Sequence, residues 1–263
     1  MDSLKVADIW NRNAEAWTVL ARQGYDVYRD FVNTPAFLAM LPSIMGLKGL
    51  DIGCGEGANT RELAELGASL VAIDVAPTFI QYAQAQEHQD PRGIVFQVAS
   101  ATELPFDAAT FDFATAFMSL MDISNSEKAI QEANRVLKPG GFFQFSITHP
   151  CFDTPYRQSL KDAAGQEYAI AVGRYFEHTD DRIDEWMFSN VPAPLRQQWP
   201  KFRVPRFHRT LSEWLNLLIG AGFMIEALAE PKADDAIAAQ CPTVADTQIV
   251  AYFLHVRCRK PLN

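Results

Sequence analysis

Residues 49–63 have the sequence GLDIGCGEGANTREL, which places three glycines at every second position directly after an apolar, strand-like run. A strand that turns into a helix needs only one tight turn, so three glycines indicate that a ligand approaches the backbone closely. The N–H groups of such a turn and the positive end of the following helix dipole face outward at the carboxyl edge of a sheet. The stretch therefore predicts a ligand-binding loop between a strand and a helix.

Short apolar runs alternate with helical stretches between residues 47 and 149. The runs are LKGLDIG, SLVAID, GIVFQVA, FDFATAF and GFFQFSIT, and the stretches between them predict helices at 58–66, 77–87 and 126–137. Each run carries apolar side chains on both parities, which is typical of parallel strands buried on both faces. This order of elements predicts a doubly wound α/β domain.

The segments on either side of this core differ from it in pattern. Apolar side chains at helical spacing predict an N-terminal helical arm over residues 1–46. Residues 150–207 are too long and too rich in aromatic residues and proline for a plain connection, and they predict a cap inserted after the fifth strand. Residues 208–263 predict a helix that opens with a capping box at Thr210 and Glu213, followed by two strands that complete one domain over 1–263.

Composition limits the class of partner. The net charge of the 263 residues is −9 with no concentrated basic run, which argues against a nucleic-acid partner. The four cysteines form no Cys-x-x-Cys pair and the five histidines show no metal-ligand spacing, so we expect reduced thiols and no metal. We find no signal-peptide layout and no apolar run long enough to cross a bilayer, and we expect a cytoplasmic protein without a membrane partner.

The spacing of the loop glycines separates two classes of ligand. Gly53, Gly55 and Gly57 follow Gly-x-Gly-x-Gly and not the Gly-x-Gly-x-x-Gly of dinucleotide-binding proteins, so an NAD-type oxidoreductase is disfavoured. Asp51 precedes the loop, and a carboxylate there repels a pyrophosphate but attracts a cation. Asp51 therefore favours a cationic ligand.

At these residues the sequence resembles the class I S-adenosylmethionine-dependent methyltransferases over nearly its whole length. The similar segments are LDIGCGEG, LVAID, VASATELPF, FDFATAFMSL and RVLKPGGFFQFSI, in the order that the family has them. The resemblance implies a Rossmann-like, seven-stranded mixed sheet whose last strand is antiparallel. It also implies S-adenosylmethionine as the cofactor, S-adenosylhomocysteine as the product, and Asp74 as the residue that holds the ribose hydroxyls.

The same resemblance assigns the remaining cofactor contacts. Ser100 stands where family members usually carry an aspartate for the adenine amino group, so the Ala101 backbone is the better fixed point there. An aromatic residue or arginine of the arm is expected at the methionine part. The predicted cofactor-binding residues are Trp10, Arg29, Asp51, Gly53, Cys54, Gly55, Gly57, Asp74, Val75, Ser100, Ala101, Phe117 and Met118.

Residues near the cap are candidates for catalysis and for substrate binding. His149 ends the fifth strand, where it can act as a general base or serve a structural role. Asp122 and His208 can contact the substrate or cap a helix. Tyr175 and Trp186 are predicted to enclose an apolar or cationic molecule, although aromatic side chains in a cap also suit a homo-oligomer interface.

The sequence therefore predicts methyl transfer from S-adenosylmethionine to an N, O or C atom of a small organic acceptor, by direct in-line displacement. Two alternatives stay open at this point. One is a module that binds the cofactor without turnover, and the other is the NAD-type oxidoreductase that the glycine spacing disfavours.

Overall fold

The computed structural model describes residues 1–165, 167–179 and 182–262. Its helices are α1 (Ser3–Arg22), α2 (Thr34–Met40), α3 (Ala58–Glu65), α4 (Pro77–Gln89), α5 (Ser126–Val136), α6 (Ala193–Arg196), α7 (Leu211–Gly220) and α8 (Asp235–Gln240). Its strands are β1 (Lys48–Ile52), β2 (Ser69–Asp74), β3 (Val95–Val98), β4 (Phe111–Phe117), β5 (Leu137–Thr148), β6 (Tyr156–Lys161), β7 (Glu167–Gly173), β8 (Arg182–Trp186), β9 (Phe202–Arg206), β10 (Met224–Ala229) and β11 (Phe253–Arg259). No helix in this described part of the chain has the length and apolar character needed to span a membrane.

Seven strands of the described chain form the central sheet, in the order β10-β11-β5-β4-β1-β2-β3. The strands β1 to β5 pair in parallel, whereas β11 runs antiparallel to both β5 and β10. The strand order reverses between β1 and β4, and in open α/β sheets ligands bind outside the carboxyl ends of the strands at such a point. The predicted fold class, including the mixed sheet with its antiparallel last strand, is confirmed.

The predicted elements of the core lie where the sequence pattern places them. The strands β2 and β4 have the predicted bounds, and helices α3, α4 and α5 differ from the prediction by one or two residues at their ends. The side chain of Thr210 accepts a hydrogen bond from the Glu213 N–H at 3.2 Å and completes the predicted capping box of α7. Large apolar side chains on β4 and β5, such as Phe113 and Phe145, are fully buried because helices cover both faces of the sheet.

The run TQIVAYFLHVR at residues 247–257 predicts the last strand, but the strand begins later than this pattern indicates. Residues Pro242–Gln248 form a 3-10 turn, and the strand starts at Phe253. Helix α8, which was not predicted, precedes this turn. It begins where the Asp234 side chain accepts the Ile237 N–H at 2.8 Å, a capping pattern that the short apolar run did not reveal.

The cap between β5 and α7 contains two antiparallel hairpins, β6-β7 and β8-β9, and the short helix α6. The β8-β9 hairpin packs on the arm through aromatic side chains. Trp17 on α1 lies with its ring centroid 4.9 Å from that of Phe188 and 4.7 Å from that of Phe202. The arm and the cap are distant in sequence, yet they share one apolar cluster.

A buried amide fixes the same two segments to each other. The Asn13 side chain on α1 donates to the Arg203 carbonyl of β9 at 2.7 Å and accepts the Arg203 N–H at 3.0 Å. Only 6% of Asn13 is exposed, so water cannot easily replace either bond. This pair sets the position of helix α1 along the β9 strand.

Asn13→Ala should lower the free energy of unfolding by about 1–3 kcal/mol, because it leaves two backbone groups of β9 without partners. Urea denaturation followed by circular dichroism measures this change. Arg12→Ala is the matched control, since Arg12 forms only an exposed ion pair with Asp8 on the same helix. Equal transition midpoints for the two variants would contradict the assignment.

Candidate active site

A cavity of about 350 Å³ lies at the carboxyl edge of the sheet, beside the point where the strand order reverses. The loop after β1 and the ends of β2 and β4 line one side of it, and the arm and the β8-β9 hairpin line the other. Its volume is in the range of small-molecule sites. The cavity therefore brings together segments from the core, the arm and the cap.

Most of the sequence-predicted site residues line this cavity. They are Trp10, Arg29, Gly53, Cys54, Gly55, Asp74, Val75, Ser100, Ala101, Phe117, Met118, Asp122 and Trp186. Five other candidates are not among the described residues that line this cavity. They are Asp51, Gly57, His149, Tyr175 and His208.

The three loop positions require glycine for different structural reasons. A Cβ at Gly53 would overlap the side chain of Ser119, and a Cβ at Gly57 would lie 2.8 Å from the Phe96 ring, so packing inside the protein requires both. Gly55 has a φ of +55°, and no described atom lies within 4 Å of the position that its Cβ would take. Only Gly55 leaves open space at the cavity, so the expectation that all three glycines clear room for a ligand is corrected to one.

Asp74 joins the end of β2 to the glycine loop. Its carboxylate accepts the Gly55 N–H at 2.9 Å through one oxygen and the Ala76 N–H at 2.8 Å through the other. Burial raises its pKa to about 6, although both hydrogen bonds act in the opposite direction. A carboxylate has further lone pairs, so Asp74 can still accept hydroxyl hydrogen bonds from a ligand in the cavity.

Asp51 lies behind the loop and not at the cavity. It is 2% exposed, and its two oxygens accept hydrogen bonds from the hydroxyls of Thr60 at 2.6 Å and Thr115 at 2.8 Å. Burial raises its pKa while these two hydroxyls lower it. Asp51 thereby connects β1 with α3 and β4. It supports the loop from behind, in place of the contact with the cofactor that the sequence predicts.

Two predicted cavity residues have distinctive local geometry. Met118 has a φ of +52°, a left-handed conformation that is uncommon for a residue with a side chain and that occurs often at functional sites. Its N–H donates to the Ser146 carbonyl at 3.0 Å, which holds this conformation. The Ser100 hydroxyl lies 2.8 Å from that of Thr102, so this side chain is partly engaged within its own turn.

Arg29 reaches the cavity from the π-helical turn Arg29–Asn33 and lies among carboxylates. Its guanidinium lies 2.8 Å from Asp30, 3.6 Å from Glu56 and 4.0 Å from Asp26. Burial raises the pKa of Asp26 to about 6. Sequence reasoning missed Asp26 and Glu56, although an acid inside the glycine loop and two arginines in the arm would have been a usable signal.

Glu56 holds the arm against the glycine loop. It is buried, and Arg22 of α1 donates to its carboxylate at 2.9 Å. Arg22 is itself partly exposed, and it also donates to the Tyr82 carbonyl at 3.2 Å. The loop and the arm are therefore connected by charge as well as by packing.

The structure does not bring His149 to the cavity. Its Nε2 lies 2.8 Å from the Glu230 carboxylate, and its Nδ1 accepts the Cys151 N–H at 3.2 Å. The ring is 3% exposed. Since both ring nitrogens are engaged in the turn that begins the cap, we replace the expected general base by a structural histidine.

Tyr175 and His208 also serve the cap itself. The Tyr175 hydroxyl accepts the Leu211 N–H at 2.8 Å at the start of α7, and the Tyr175 carbonyl lies 2.7 Å from the His208 Nε2. Neither residue is among the described residues that line the main cavity, and their predicted contact with a substrate stays a prediction. His208 lines a second cavity, which adjoins the first.

An aromatic wall faces the glycine loop across the main cavity. Trp17 is its centre, with edge-to-face contacts to Trp10 at 5.6 Å and to Trp186 at 5.5 Å between ring centroids. The Trp186 Nε1 is buried without a hydrogen-bond partner among the described residues, so a polar ligand atom can satisfy it. The wall excludes water and offers one unpaired donor.

Asp122 lies at the end of the 3-10 turn Leu120–Asp122, opposite the cap. Its side chain is buried, and one carboxylate oxygen has no hydrogen-bond partner in the described part of the chain. Burial raises its pKa to about 7, and the charge of Arg206 on β9 acts in the opposite direction. An unpaired carboxyl that lines a cavity is expected to interact with a ligand.

Comparisons with known proteins identify the family of this chain. A family model described as a methyltransferase domain matches residues 50–145. The chain is 35% identical over 198 residues to a demethylmenaquinone methyltransferase of Tropheryma whipplei (strain Twist), with 73% of this chain and 79% of that protein covered. It is 39% identical over 141 residues to the sterol 4-C-methyltransferase strm-1 of Caenorhabditis elegans, where the match covers 51% of this chain and 41% of that protein.

A solved structure shows the same fold. The crystal structure of an S-adenosylmethionine-dependent methyltransferase from Mesorhizobium loti matches with a TM-score of 0.69 and 28% sequence identity, covering 86% of this chain and 96% of that chain. The fold and the loop define an α/β protein that binds a ligand at the carboxyl ends of β1 and β2. The chain belongs to the class I S-adenosylmethionine-dependent methyltransferases, and S-adenosylmethionine is its cofactor.

The residues of the cavity fit that cofactor. The Asp74 carboxylate has lone pairs for two hydroxyls, and Gly55, whose N–H is donated to Asp74, leaves open space beside the loop. The half-buried aromatic and sulfur side chains Trp10, Phe117 and Met118 provide an apolar boundary. The individual cofactor contacts of these residues remain predictions, and two of them lead to the following experiments.

Gly55→Ala should weaken the binding of S-adenosylhomocysteine by about tenfold, because its methyl group enters the open space at the loop. The left-handed φ at this position adds a stability cost of about 1–2 kcal/mol. Gly57→Ala is the comparison, since its Cβ meets the Phe96 ring and should reduce the melting temperature more than Gly55→Ala does. Calorimetric titration and thermal denaturation separate the two effects, and the opposite ranking would refute the assignment of Gly55.

The affinity for S-adenosylhomocysteine should fall as the pH decreases below about 6, because the ribose hydroxyls need the ionised Asp74 carboxylate as an acceptor. The expected decrease approaches about tenfold per pH unit, as for a single linked proton. Asp74→Asn should bind more weakly at neutral pH and lose this part of the pH dependence. The pKa of Asp26 is also about 6, so Asp26 can contribute to the pH dependence of the wild type. The informative quantity is therefore the difference in pH dependence between the wild type and Asp74→Asn. Identical pH profiles of the two would argue against Asp74.

Proposed function

We propose that this methyltransferase acts on a small organic acceptor, which binds between the glycine loop and the aromatic wall. The observation that carries the proposal is that the core, the arm and the cap together line one cavity of about 350 Å³, which is the size of a small-molecule site. The demethylmenaquinone and sterol methyltransferases to which this chain is similar are named for small-molecule acceptors, which supports the same class of acceptor.

In the proposed mechanism, Asp74, the loop backbone at Gly55 and the segment at Ala101 hold the cofactor. When it is bound, S-adenosylmethionine supplies an electrophilic methyl group on a sulfonium. Trp10 and Trp17 exclude water from this region, and a dry site strengthens the electrostatic interactions inside it. Phe117 and Met118 bound the space in which the acceptor atom must be aligned, and alignment supplies much of the rate enhancement in such reactions.

Asp122 is proposed to orient the acceptor atom and to take up its proton. Its unpaired oxygen faces no described hydrogen-bond donor, and its raised pKa of about 7 suits a general base near neutral pH. Only the ionised carboxylate can accept a proton, so the activity should increase as the pH rises through about 7. The charge of Arg206 favours the ionised form of Asp122 and opposes the effect of burial on its pKa.

The proposal includes a cytoplasmic location and activity without a nucleic-acid partner. The four cysteines are free thiols, which supports a reducing compartment. The net charge of −9 disfavours contact with a phosphate backbone. Among the described residues no group of three potential metal ligands is found, and the proposed mechanism uses none.

The test is methyl transfer from isotopically labelled S-adenosylmethionine to a panel of small acceptors with phenol, quinol, amine and enol nucleophiles. Asp122→Asn should reduce the turnover number by about 10²–10⁴-fold and remove the increase of activity through pH 7. Its affinity for S-adenosylhomocysteine should stay at the wild-type value. Unchanged turnover in this variant would exclude Asp122 as the base.

The alternative of cofactor binding without turnover is distinguished by the same panel. Tight binding of S-adenosylhomocysteine together with no transfer to any acceptor class would favour a binding module. Competitive titration with NADH tests the oxidoreductase alternative, which the Gly-x-Gly-x-Gly spacing of the loop does not favour.

A further inference from the structure

A second cavity of about 320 Å³ lies within the cap and adjoins the methyl-transfer cavity. Met121, Thr148 and Arg206 line both cavities, so the two are neighbours across these side chains. The first cavity is mainly aromatic and aliphatic at its cap side, whereas arginines distinguish the second. They are Arg157 on β6, Arg182 on β8, Arg206 on β9 and Arg209 before α7.

The arginines of β8 and β9 stand directly opposite each other. Arg182 and Arg206 are cross-strand partners, an arrangement that destabilises a sheet unless an anion lies between the two charges. Asp184 is that anion in the protein, because one of its oxygens lies 2.7 Å from Arg182 and the other lies 3.1 Å from Arg206. Asp153 lies 3.5 Å from Arg206. These two carboxylates pair with two of the four arginines.

The other two arginines interact with carboxylates only at longer range, Arg157 with Asp246 and Arg209 with Glu213. In the part of the chain that the structure describes, no carboxylate lies within 4 Å of Arg157 or Arg209. Arg157 instead lies over the ring of Tyr252, with 4.6 Å between the guanidinium carbon and the ring centroid. The Nε of Arg209 donates to the Ser126 hydroxyl at 2.9 Å. Both guanidinium groups retain donors for a ligand, since each has five N–H bonds.

We propose that this second cavity binds an oxyanion, a carboxylate or phosphate group of the methyl acceptor, while the acceptor's nucleophilic atom lies in the first cavity beside Asp122. Guanidinium groups recognise such anions through paired N–H bonds, and here they come from four different segments that converge on one cavity. The protein has a net charge of −9, so a local cluster of arginines is unusual in it. Binding of an anion explains why they lie together here. The inference rests on the proposed function, and it narrows the acceptor to an anionic small molecule.

Simple anions test the inference on the full-length protein saturated with S-adenosylhomocysteine, which keeps the probe out of the cofactor site. Sodium phosphate and sodium acetate should each raise the melting temperature above that in sodium chloride of equal ionic strength, because a ligand that binds only the folded state stabilises it. A larger effect of phosphate indicates a phosphorylated acceptor, and an equal or larger effect of acetate indicates a carboxylate.

Variants of Arg157 and Arg209 provide the decisive comparison. Arg157→Gln and Arg209→Gln should each weaken phosphate binding by about tenfold in calorimetric titration, as expected for the loss of a charged hydrogen bond. Arg203→Gln is the matched control, because Arg203 lies on β9 but pairs with the exposed Glu185 and does not line the cavity in the described chain. All three variants should bind S-adenosylhomocysteine like the wild type, which also shows that they fold.

Different results would contradict the oxyanion site and the proposed function. No anion effect beyond that of chloride, or an effect that the Arg157→Gln/Arg209→Gln double variant retains in full, would overturn the oxyanion site. Such a result would leave cofactor binding intact. Failure to bind S-adenosylhomocysteine would instead contradict the proposed function.

Discussion

The hydrogen bonds of one buried carboxylate determine the geometry of the whole site. Asp74 accepts the Gly55 N–H from the loop after β1 and the Ala76 N–H at the start of α4, so it fixes two neighbouring turns at the carboxyl edge of the sheet. Asp51 supports the same loop from behind through the hydroxyls of Thr60 and Thr115. Without these anchors the loop could not keep Gly55 in a left-handed conformation beside open space. The cofactor site that we propose depends on this loop.

The arm and the cap convert the open edge of an α/β sheet into an enclosed site. Trp17 packs on Trp186, Phe188 and Phe202 of the cap, while Arg22 and Glu56 connect the same helix to the glycine loop. Helix α1 therefore contacts both walls of the cavity, and its position affects the cofactor side and the acceptor side together. The cap also contains the arginine-lined cavity, so acceptor selection and closure of the site belong to one segment of the chain.

The sequence predicted the sheet, the core helices and most of the cofactor cavity, because apolar periodicity and the glycine loop are local signals. Its errors concern side chains whose partners are distant in the chain. His149 is engaged by Glu230, which lies 81 residues away, and no local pattern reveals that contact. The three glycines looked equivalent in the sequence, but Ser119 and Phe96 decide the environment of two of them. The pairing of Arg182 with Arg206 likewise depends on hairpin register, which the proline-rich cap sequence does not specify.

The burial of acids around the cavity has a consequence for the balance between stability and function. Asp26 and Asp74 have pKa values of about 6 and Asp122 of about 7, whereas an aspartate in the unfolded chain has a value near 3.8. Over this interval the folded protein holds more protons than the unfolded chain, so the free energy of unfolding decreases as the pH rises. Ligands that donate hydrogen bonds to the ionised carboxylates offset this loss. Near neutral pH these three acids therefore make the ligand-free protein less stable than it is at lower pH, and bound ligands recover part of that difference.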